Sequence, residues 1–381
     1  MKLSAAAICA RRAPAAALAA TFQLCRQALP LPPLAVRLPL VAAPRGTRLP
    51  RKRCQLPRAT SSEDSPHADQ PLAADSPVME VERQTERALA YAAVTALLGG
   101  SGLALAAAPS AAVQFLWGAC PGLLVAGMAR VLGSVLLLAA ICANCLKEAA
   151  EKDLLRSDTY RRLNLALFWW GLGTVAALWL APQQPLRYAL GVCTVLLAGT
   201  SAHAALTYHE TSDEGEGWSP VYLAKQFLRS LGNLTSYSNG PDTAIYSLYT
   251  YGFAAKATLA AVTAAVMHRQ LRLAVDGLLL APLGLLGESL VAVNGVGYAL
   301  GAVVLFTLKD AAARGRLGAS TFRALNIGVA VMALANGITI ASWVQAGVVA
   351  QTKAVCIKLA SHALLAALAL CNYAFAQKKK H

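Results

Sequence analysis

The stretch LKEAAEKDLLRSDTYRRLN, residues 146–164, occurs a second time as LKDAAARGRLGASTFRALN at residues 308–326. The copies lie 162 residues apart, need no insertion or deletion, and share nine of nineteen positions, where chance gives about two. Each copy is a charged segment between two apolar runs. A connection repeated at a fixed offset indicates that the elements on both sides of it are repeated as well.

The offset also aligns apolar sequence outside the loop. The matches are Tyr91 with Phe253, Gly122 with Gly284 and Gly133 with Gly295, and after a drift of one residue Cys193 with Cys356. The repeat therefore covers nearly all of 88–208 against 250–376.

Composition places these repeats in a membrane. Hydrophobic residues make up 56% of the 381-residue chain and charged residues 14%, with a mean hydropathy of +0.49, whereas soluble domains carry about 25% charged residues. Apolar runs near the 20 residues needed to span a bilayer occur at 88–108, 123–145, 163–181, 187–208, 250–270, 285–307, 325–343 and 353–376. We therefore predict an all-α polytopic membrane protein with about eight transmembrane helices, arranged as two parallel four-helix repeats.

The expected organisation has six segments. They are an organelle transit peptide (1–60), a flexible polar lead-in (61–86), the first membrane repeat (87–208), a connection with an amphipathic helix (209–249), the second membrane repeat (250–377) and a basic tail (378–381).

The net charge of +15 is concentrated near the N-terminus. Residues 1–62 hold eleven Lys or Arg and no acid, while the rest of the chain has 23 basic and 19 acidic residues. An Ala-, Arg- and Pro-rich segment without acids is typical of a transit peptide, and its bias resembles that of algal chloroplast transit peptides. The expected location is a chloroplast membrane, thylakoid or inner envelope, with the mitochondrial inner membrane as the alternative, and no nucleic-acid partner is expected.

Basic residues alternate between connections as the positive-inside rule requires. The segments 146–162, 209–249 and 308–323 contain Lys and Arg, whereas most of the connections between them do not. Both termini and both copies of the repeated loop are thus expected in the stroma. An even number of helices per repeat gives both halves the same orientation, as in parallel-repeat transporters.

The repeated loop supplies two pairs of cations and one pair of amides. Anchoring at the headgroups is one interpretation, and a shared stromal vestibule for an anionic solute is the other. The vestibule candidates are Lys147, Arg161, Lys309, Arg323, Asn164 and Asn326.

Ionisable residues inside membrane spans are costly and are functional candidates by default. Arg130, Lys256 and Glu288 are the notable ones, and Glu288 is the sole acid well inside a span. Arg130 and Glu288 lie on equivalent helices of the two repeats, so a pseudo-twofold axis would let them pair, with Lys256 as a competing partner. Such a pair would be either structural or coupled to transport.

Paired helix breaks at equivalent positions point to a transporter-type site. Pro121 and Gly122 in the first half match Pro282 and Gly284 in the second. The alternative is a short interfacial helix, AAVQFLWG (111–118), followed by an ordinary span.

Other motifs carry weaker signals. The pair Cys142 and Cys145 forms a C-x-x-C within a span, and packing is its expected role. His203 and His362 lie at different depths of equivalent helices, which argues against a shared haem. We expect no metal, no cofactor and no enzyme activity.

Two functions remain. The first is a transporter or channel for a small solute or ion, with its path between the halves. The second is a non-catalytic assembly or scaffold factor of a chloroplast membrane complex, which would use residues 218–235 to dock a partner in addition to its contact with the lipid bilayer.

Overall fold

The computed structural model describes residues 77–211, 220–230, 243–266 and 284–375. The chain divides into two units, Met1–Glu80 and Val81–His381, and the helix packing reported below belongs to the second. Within the described residues there are ten α-helices: α1 (Pro77–Ala107), α2 (Pro109–Trp117), α3 (Leu123–Glu151), α4 (Asp158–Trp179), α5 (Arg187–Thr211), α6 (Pro220–Ser230), α7 (Thr243–Val266), α8 (Gly284–Ala313), α9 (Ser320–Gln345) and α10 (Lys353–Phe375).

Six of these helices are long and apolar enough to cross a membrane: α1, α3, α5, α8, α9 and α10. They coincide with six of the eight predicted spans. The other two predicted spans, 163–181 and 250–270, correspond to α4 and α7, which are helical but less apolar. The first turns of α4 carry Arg161 and Arg162, and α7 contains Lys256 and three tyrosines.

Helices α3 and α8 form the centre of the bundle. In each of them 78% of the most apolar 18-residue stretch is buried, and the two helices pack against each other. Helix α9 packs on α3, and α4 packs on α8. With α1–α5 called the first half and α7–α10 the second half, each half contributes a helix that covers the central helix of the other half. Helices α5, α7 and α10 lie outside, against α4, α8 and α9 respectively.

Small residues permit the close approach of these helices, as is common in membrane bundles. A Cβ atom at Gly297 of α8 would lie 2.6 Å from a methyl group of Val135 on α3. A Cβ atom at Gly328 of α9 would lie 2.7 Å from Leu138, which is also on α3. We call this contact surface between the two halves, centred on α3 and α8, the seam.

The two copies of the repeated loop have the same backbone structure. Helix α3 ends at Glu151 and α8 at Ala313, and both are followed by a left-handed residue, Asp153 (φ 50°) and Gly315 (φ 63°). The N–H of the next residue bonds five positions back, from Leu154 to Ala149 O at 2.8 Å and from Arg316 to Ala311 O at 2.9 Å. Both connections are therefore Schellman-type helix ends.

The short helix α2 ends at Trp117, before Pro121. Gly118 (φ 69°) is its left-handed C-cap and its N–H bonds Gln114 O at 2.9 Å. Pro121 follows in the linker, and Gly122 is the N-cap of α3. The chain therefore turns at Gly118, where glycine tolerates positive φ, and proline is not the residue that ends the helix.

Helix α6 is amphipathic and packs one side against α4. Tyr222 and Phe227 contact the small cluster formed by Leu165 and Tyr208. Val221 and Leu228 are exposed by 76% and 67%. One apolar surface of α6 is thus covered by the bundle and another is left open.

Candidate functional site

Two buried tyrosine–asparagine pairs lie near the repeated loops. The hydroxyl of Tyr91 donates to Asn164 Oδ1, and that of Tyr249 donates to Asn326 Oδ1 at 2.5 Å. Both asparagines are fully buried. The predicted amides therefore bond across the bundle, each to the outer helix of its own half, and neither lines an open mouth.

These pairs also correct the alignment of the first helix in each half. The strict offset matched Tyr91 with Phe253, whereas the residue in the equivalent contact is Tyr249. The difference of four residues is about one helical turn. Outer helices are thus displaced along the bundle relative to the central ones.

The four loop cations make separate contacts. Arg161 lies over the ring of Tyr208 (5.3 Å) and Arg323 over that of Tyr373 (4.9 Å). Lys147 pairs with Glu151 at 2.8 Å. Lys309 is 2% exposed, with its Nζ 5.0 Å from the ring centroid of Tyr246. Each of these contacts lies within one half of the molecule.

Across the seam, polar contacts join the halves. Tyr160 and Thr321 share a hydrogen bond of 2.7 Å between their hydroxyl groups. Asn294 Nδ2 donates to Met128 O at 3.1 Å. Arg162 lies 3.4 Å from Asp310, and both side chains are largely buried. Sequence reasoning missed this ion pair because Ala324 stands at the position equivalent to Arg162, so the repeat gave no signal.

The ionisable residues predicted at membrane depth are not brought together. Arg130 donates from Nε to Ala106 O of α1 at 3.4 Å, away from the seam. Glu288 is half-buried on the first turns of α8, whose first residue, Gly284, has φ 66°. The described contacts of Arg130 and Lys256 do not include Glu288, so the predicted ion pair is absent from this part of the chain. Pro282 lies outside the described residues.

Lys256 occupies a buried position inside the second half. Its side chain is 4% exposed, and its Nζ lies 4.7 Å from the ring centroid of Tyr298 on α8. Within the described part of the chain, the Nζ atom makes no hydrogen bond. An ammonium group buried without a partner is costly, which marks it as a functional candidate.

Further polar side chains surround Lys256. His362 of α10 is 6% exposed, and its Nε2 finds no hydrogen-bond partner among the described residues. Lys256 and Lys358 both lie within electrostatic range of the His362 ring. The hydroxyl of Tyr298 donates to Asn336 Oδ1 of α9 at 3.1 Å. We call these five residues, Lys256, Tyr298, Asn336, Lys358 and His362, the α7–α10 cluster.

The first half has apolar residues at most of the matching positions. Leu98 follows Tyr91 by seven residues, as Lys256 follows Tyr249, and Leu136 matches Tyr298 at the 162-residue offset. Leu197 precedes Tyr208 by eleven residues, as His362 precedes Tyr373. Leu98 and Leu197 are buried, and Leu136 packs against the core. The tyrosine–asparagine pairs are thus present in both halves, whereas the α7–α10 cluster belongs to one.

The remaining candidates lie in packed surroundings. Cys142 and Cys145 are buried as free thiols, and Cys145 Sγ lies 3.7 Å from Thr321 O at the seam. The ring of His203 packs edge-on against Tyr91, with 4.4 Å between centroids. Over the described ranges, no three His, Cys, Asp or Glu side chains are grouped so as to hold a metal ion.

An all-helical bundle with six helices able to span a membrane defines a multi-pass membrane protein. No protein-family model matches the chain, and neither the curated proteins nor the solved structures contain one that is similar to it.

Proposed function

We propose that this chain carries a small solute or ion across a plastid membrane. The observation that carries the proposal is the burial of Lys256 and His362 inside a bundle of apolar helices, each with a nitrogen that has no hydrogen-bond partner among the described residues. At such depth, a helical bundle with a purely structural role places apolar groups, or polar groups that have a hydrogen-bond or ion-pair partner. A binding or transport role explains why these groups are retained.

The proposed architecture has eight spans in two parallel repeats of four. Helices α4 and α7 supply the third and fifth spans, with their charged and tyrosine-rich ends at the headgroups. Support comes from the backbone hydrogen-bond pattern that the two loops share, and from the equivalent Tyr91–Asn164 and Tyr249–Asn326 contacts. The pairing of α3 with α9 and of α4 with α8 is also what a pseudo-twofold axis along the membrane normal requires.

The solute path is proposed to run beside the α7–α10 cluster. A path between the halves, which the sequence had favoured, would have to cross the seam where Gly297 and Gly328 already contact side chains of α3. Among the described residues, the members of the cluster come from α7, α8, α9 and α10. Glu288, near the start of α8, is proposed to couple movement to a proton or cation.

Osmotic swelling of liposomes tests transport without a known substrate. Purified protein is reconstituted, and light scattering follows shrinkage and recovery in chloride, phosphate, benzoate, acetate and glucose. We expect faster recovery in at least one solute, and recovery at the rate of empty liposomes for Glu288→Gln. Glu148→Gln, an acid at the loop end of α3, is the matched control. If folded protein accelerates the recovery of liposome volume in none of the solutes, the transport proposal is refuted.

The plastid assignment depends on residues 1–60 and has its own test. A fluorescent protein carrying these residues should enter chloroplasts and lose them there. Import into mitochondria, or retention in the cytosol, would overturn this part of the proposal while leaving the transport assay unaffected.

A second candidate function is scaffolding, favoured by the open apolar surface of α6. Val221 and Leu228 stay exposed while Tyr222 and Phe227 hold the helix on the bundle. Replacing Val221 and Leu228 by Ser should release a co-purifying membrane partner if α6 docks one. Lys225→Ser, another exposed change on α6, is the control. An unchanged set of co-purifying proteins would exclude docking through this surface.

A further inference from the structure

We propose that Lys256 and His362 form a binding site for the carboxylate group of a monovalent organic anion, enclosed by α7, α8, α9 and α10. This inference rests on the transport function proposed above and names its substrate class. It assigns separate roles to the members of the α7–α10 cluster.

Charge is the first argument for an anion. The buried ammonium group of Lys256 and the exposed Lys358 lie within electrostatic range of each other and of the neutral His362 ring. The ion pairs described for this protein lie elsewhere, at Arg87–Glu210, at Lys147–Glu151, at Lys152–Glu148 and around Asp310. A buried cation is stabilised by an opposite charge in direct contact. A bound anion supplies that charge, and an apolar or cationic solute does not.

The available donors favour a carboxylate. The hydroxyl of Tyr298 is already used in the bond to Asn336, and the Asn336 amide donates to Met332 O at 2.7 Å. Within the cluster, the nitrogens without a hydrogen-bond partner among the described residues are Lys256 Nζ and His362 Nε2, and groups of both kinds donate to carboxylate oxygens. A phosphate group presents more acceptor oxygens than these two nitrogens can satisfy.

The aromatic ring of Tyr298 positions the ammonium group. Its centroid lies 4.7 Å from Lys256 Nζ, a distance at which the face of the ring attracts a cation. Gly337 of α9 lies beside His362, and a Cβ atom at Gly337 would lie 3.6 Å from His362 Cβ. The ring thus attracts the Lys256 ammonium group and leaves its N–H groups available to a ligand.

The difference between the halves distinguishes the residues of this site from the residues that build the fold. Some contacts that build the bundle occur twice, as in the two tyrosine–asparagine pairs. The cluster occurs once, and buried Leu98 and Leu197 show that the same helix positions pack well without it. Replacement of Lys256 by Leu is therefore expected to preserve the fold and to raise the thermal unfolding temperature, because it removes a buried charge.

Two sources could supply the carboxylate, and two probes distinguish them. Benzoate represents a water-soluble anion and is measured by equilibrium dialysis with radiolabel. Dodecanoate represents a fatty acid from the bilayer and is measured by native mass spectrometry of the protein in detergent. Wild-type protein should bind one or both. The probe that binds identifies the source.

Variants test the site itself. Lys256→Leu and His362→Leu should each weaken binding at least tenfold, and Lys256→Gln repeats the test with a polar residue should the leucine variant fail to fold. Lys309→Met is the matched control, since Lys309 is equally buried and lies 5.0 Å from the ring of Tyr246 outside the cluster. Absence of binding to both probes, or equal binding by Lys256→Leu, would overturn the site.

Failure of the site and failure of transport are distinguishable. If benzoate or dodecanoate binds through Lys256 but no solute crosses liposomes, the site stands and the transport proposal fails. If a solute crosses equally fast with Lys256→Leu and with wild type, transport stands and the site fails.

Discussion

Asp153 is, in the described part of the chain, the non-glycine residue with a left-handed backbone (φ 50°). It stands where the other loop copy has Gly315 (φ 63°). Both residues close the same Schellman-type turn, so the turn itself demands a positive φ. For a residue with a Cβ atom this conformation costs about 1–2 kcal/mol, and Asp is among the residues that adopt it more readily.

Asp153→Gly should therefore stabilise the protein by about 0.5–1 kcal/mol, and Gly315→Ala should destabilise it by about 1 kcal/mol. Thermal unfolding in detergent measures both. A lower unfolding temperature for Asp153→Gly would mean that its carboxylate contributes more to the loop than its backbone strain costs.

The buried tyrosines allow a comparison of equivalent residues in the two halves. Tyr91→Phe should cost about 1 kcal/mol, because it leaves Asn164 Oδ1 without its donor. Tyr249→Phe should also cost at least about 1 kcal/mol, since its hydroxyl accepts from Asn372 Nδ2 at 2.8 Å besides donating to Asn326. Tyr251→Phe, at a side chain 73% exposed, is the control. Equal stability of all three variants would contradict a structural role for the pairs.

At the scale of helices, the seam depends on glycines that face bulky side chains. Gly297→Ala should cost about 1–3 kcal/mol, because the new methyl group would overlap Val135 of α3. Gly199→Ala in α5 meets nothing within 4 Å and should be neutral or stabilise by up to about 1 kcal/mol. Unfolding temperatures of the two variants in the same detergent test this. A tolerated Gly297→Ala would show that α3 and α8 can separate.

Sequence analysis located the helices well and their contacts less well. Long apolar runs predicted eight spans, six of which coincide with helices long and apolar enough to cross a membrane, and the repeat predicted two equivalent connections, because these features depend on local composition. Lys256 already marked the run at 250–270 as less apolar, whereas nothing marked the run at 163–181, because the charged first turns of α4 were left out of that span. Nor could a fixed offset detect the one-turn displacement that makes Tyr249 the counterpart of Tyr91.

The candidate site was found only in part for a related reason. Lys256 stands out in an apolar run, so sequence alone identified it. His362 was compared with His203 and set aside, and Tyr298 carried no signal, because the side chains that meet Lys256 come from three other helices. Which faces meet is decided by packing of the whole bundle, and that information is absent from any one helix.

For the whole molecule, the packing of α9 on α3 and of α4 on α8 makes the halves depend on each other. If the chain is divided within residues 212–219 and both parts are produced in one cell, they should co-purify in equal amounts. A Gly328→Trp substitution, which places a large ring against Leu138, should abolish co-purification. Separate recovery of two stable halves would contradict this interdependence.

The central position of α3 has a consequence for biogenesis. Its covering helices, α8 and α9, begin more than 130 residues after α3 ends. At about 5–20 residues per second, synthesis of α8 starts on the order of ten seconds after that of α3 is complete. A chain inserted from its N-terminus must therefore hold the seam face of α3, which carries Val135 and Leu138, and the buried Arg162 of α4 against lipid or an insertase until their partners arrive. Assembly of this protein is thus expected to be slower than insertion of its individual helices, and to be the step at which seam variants are degraded.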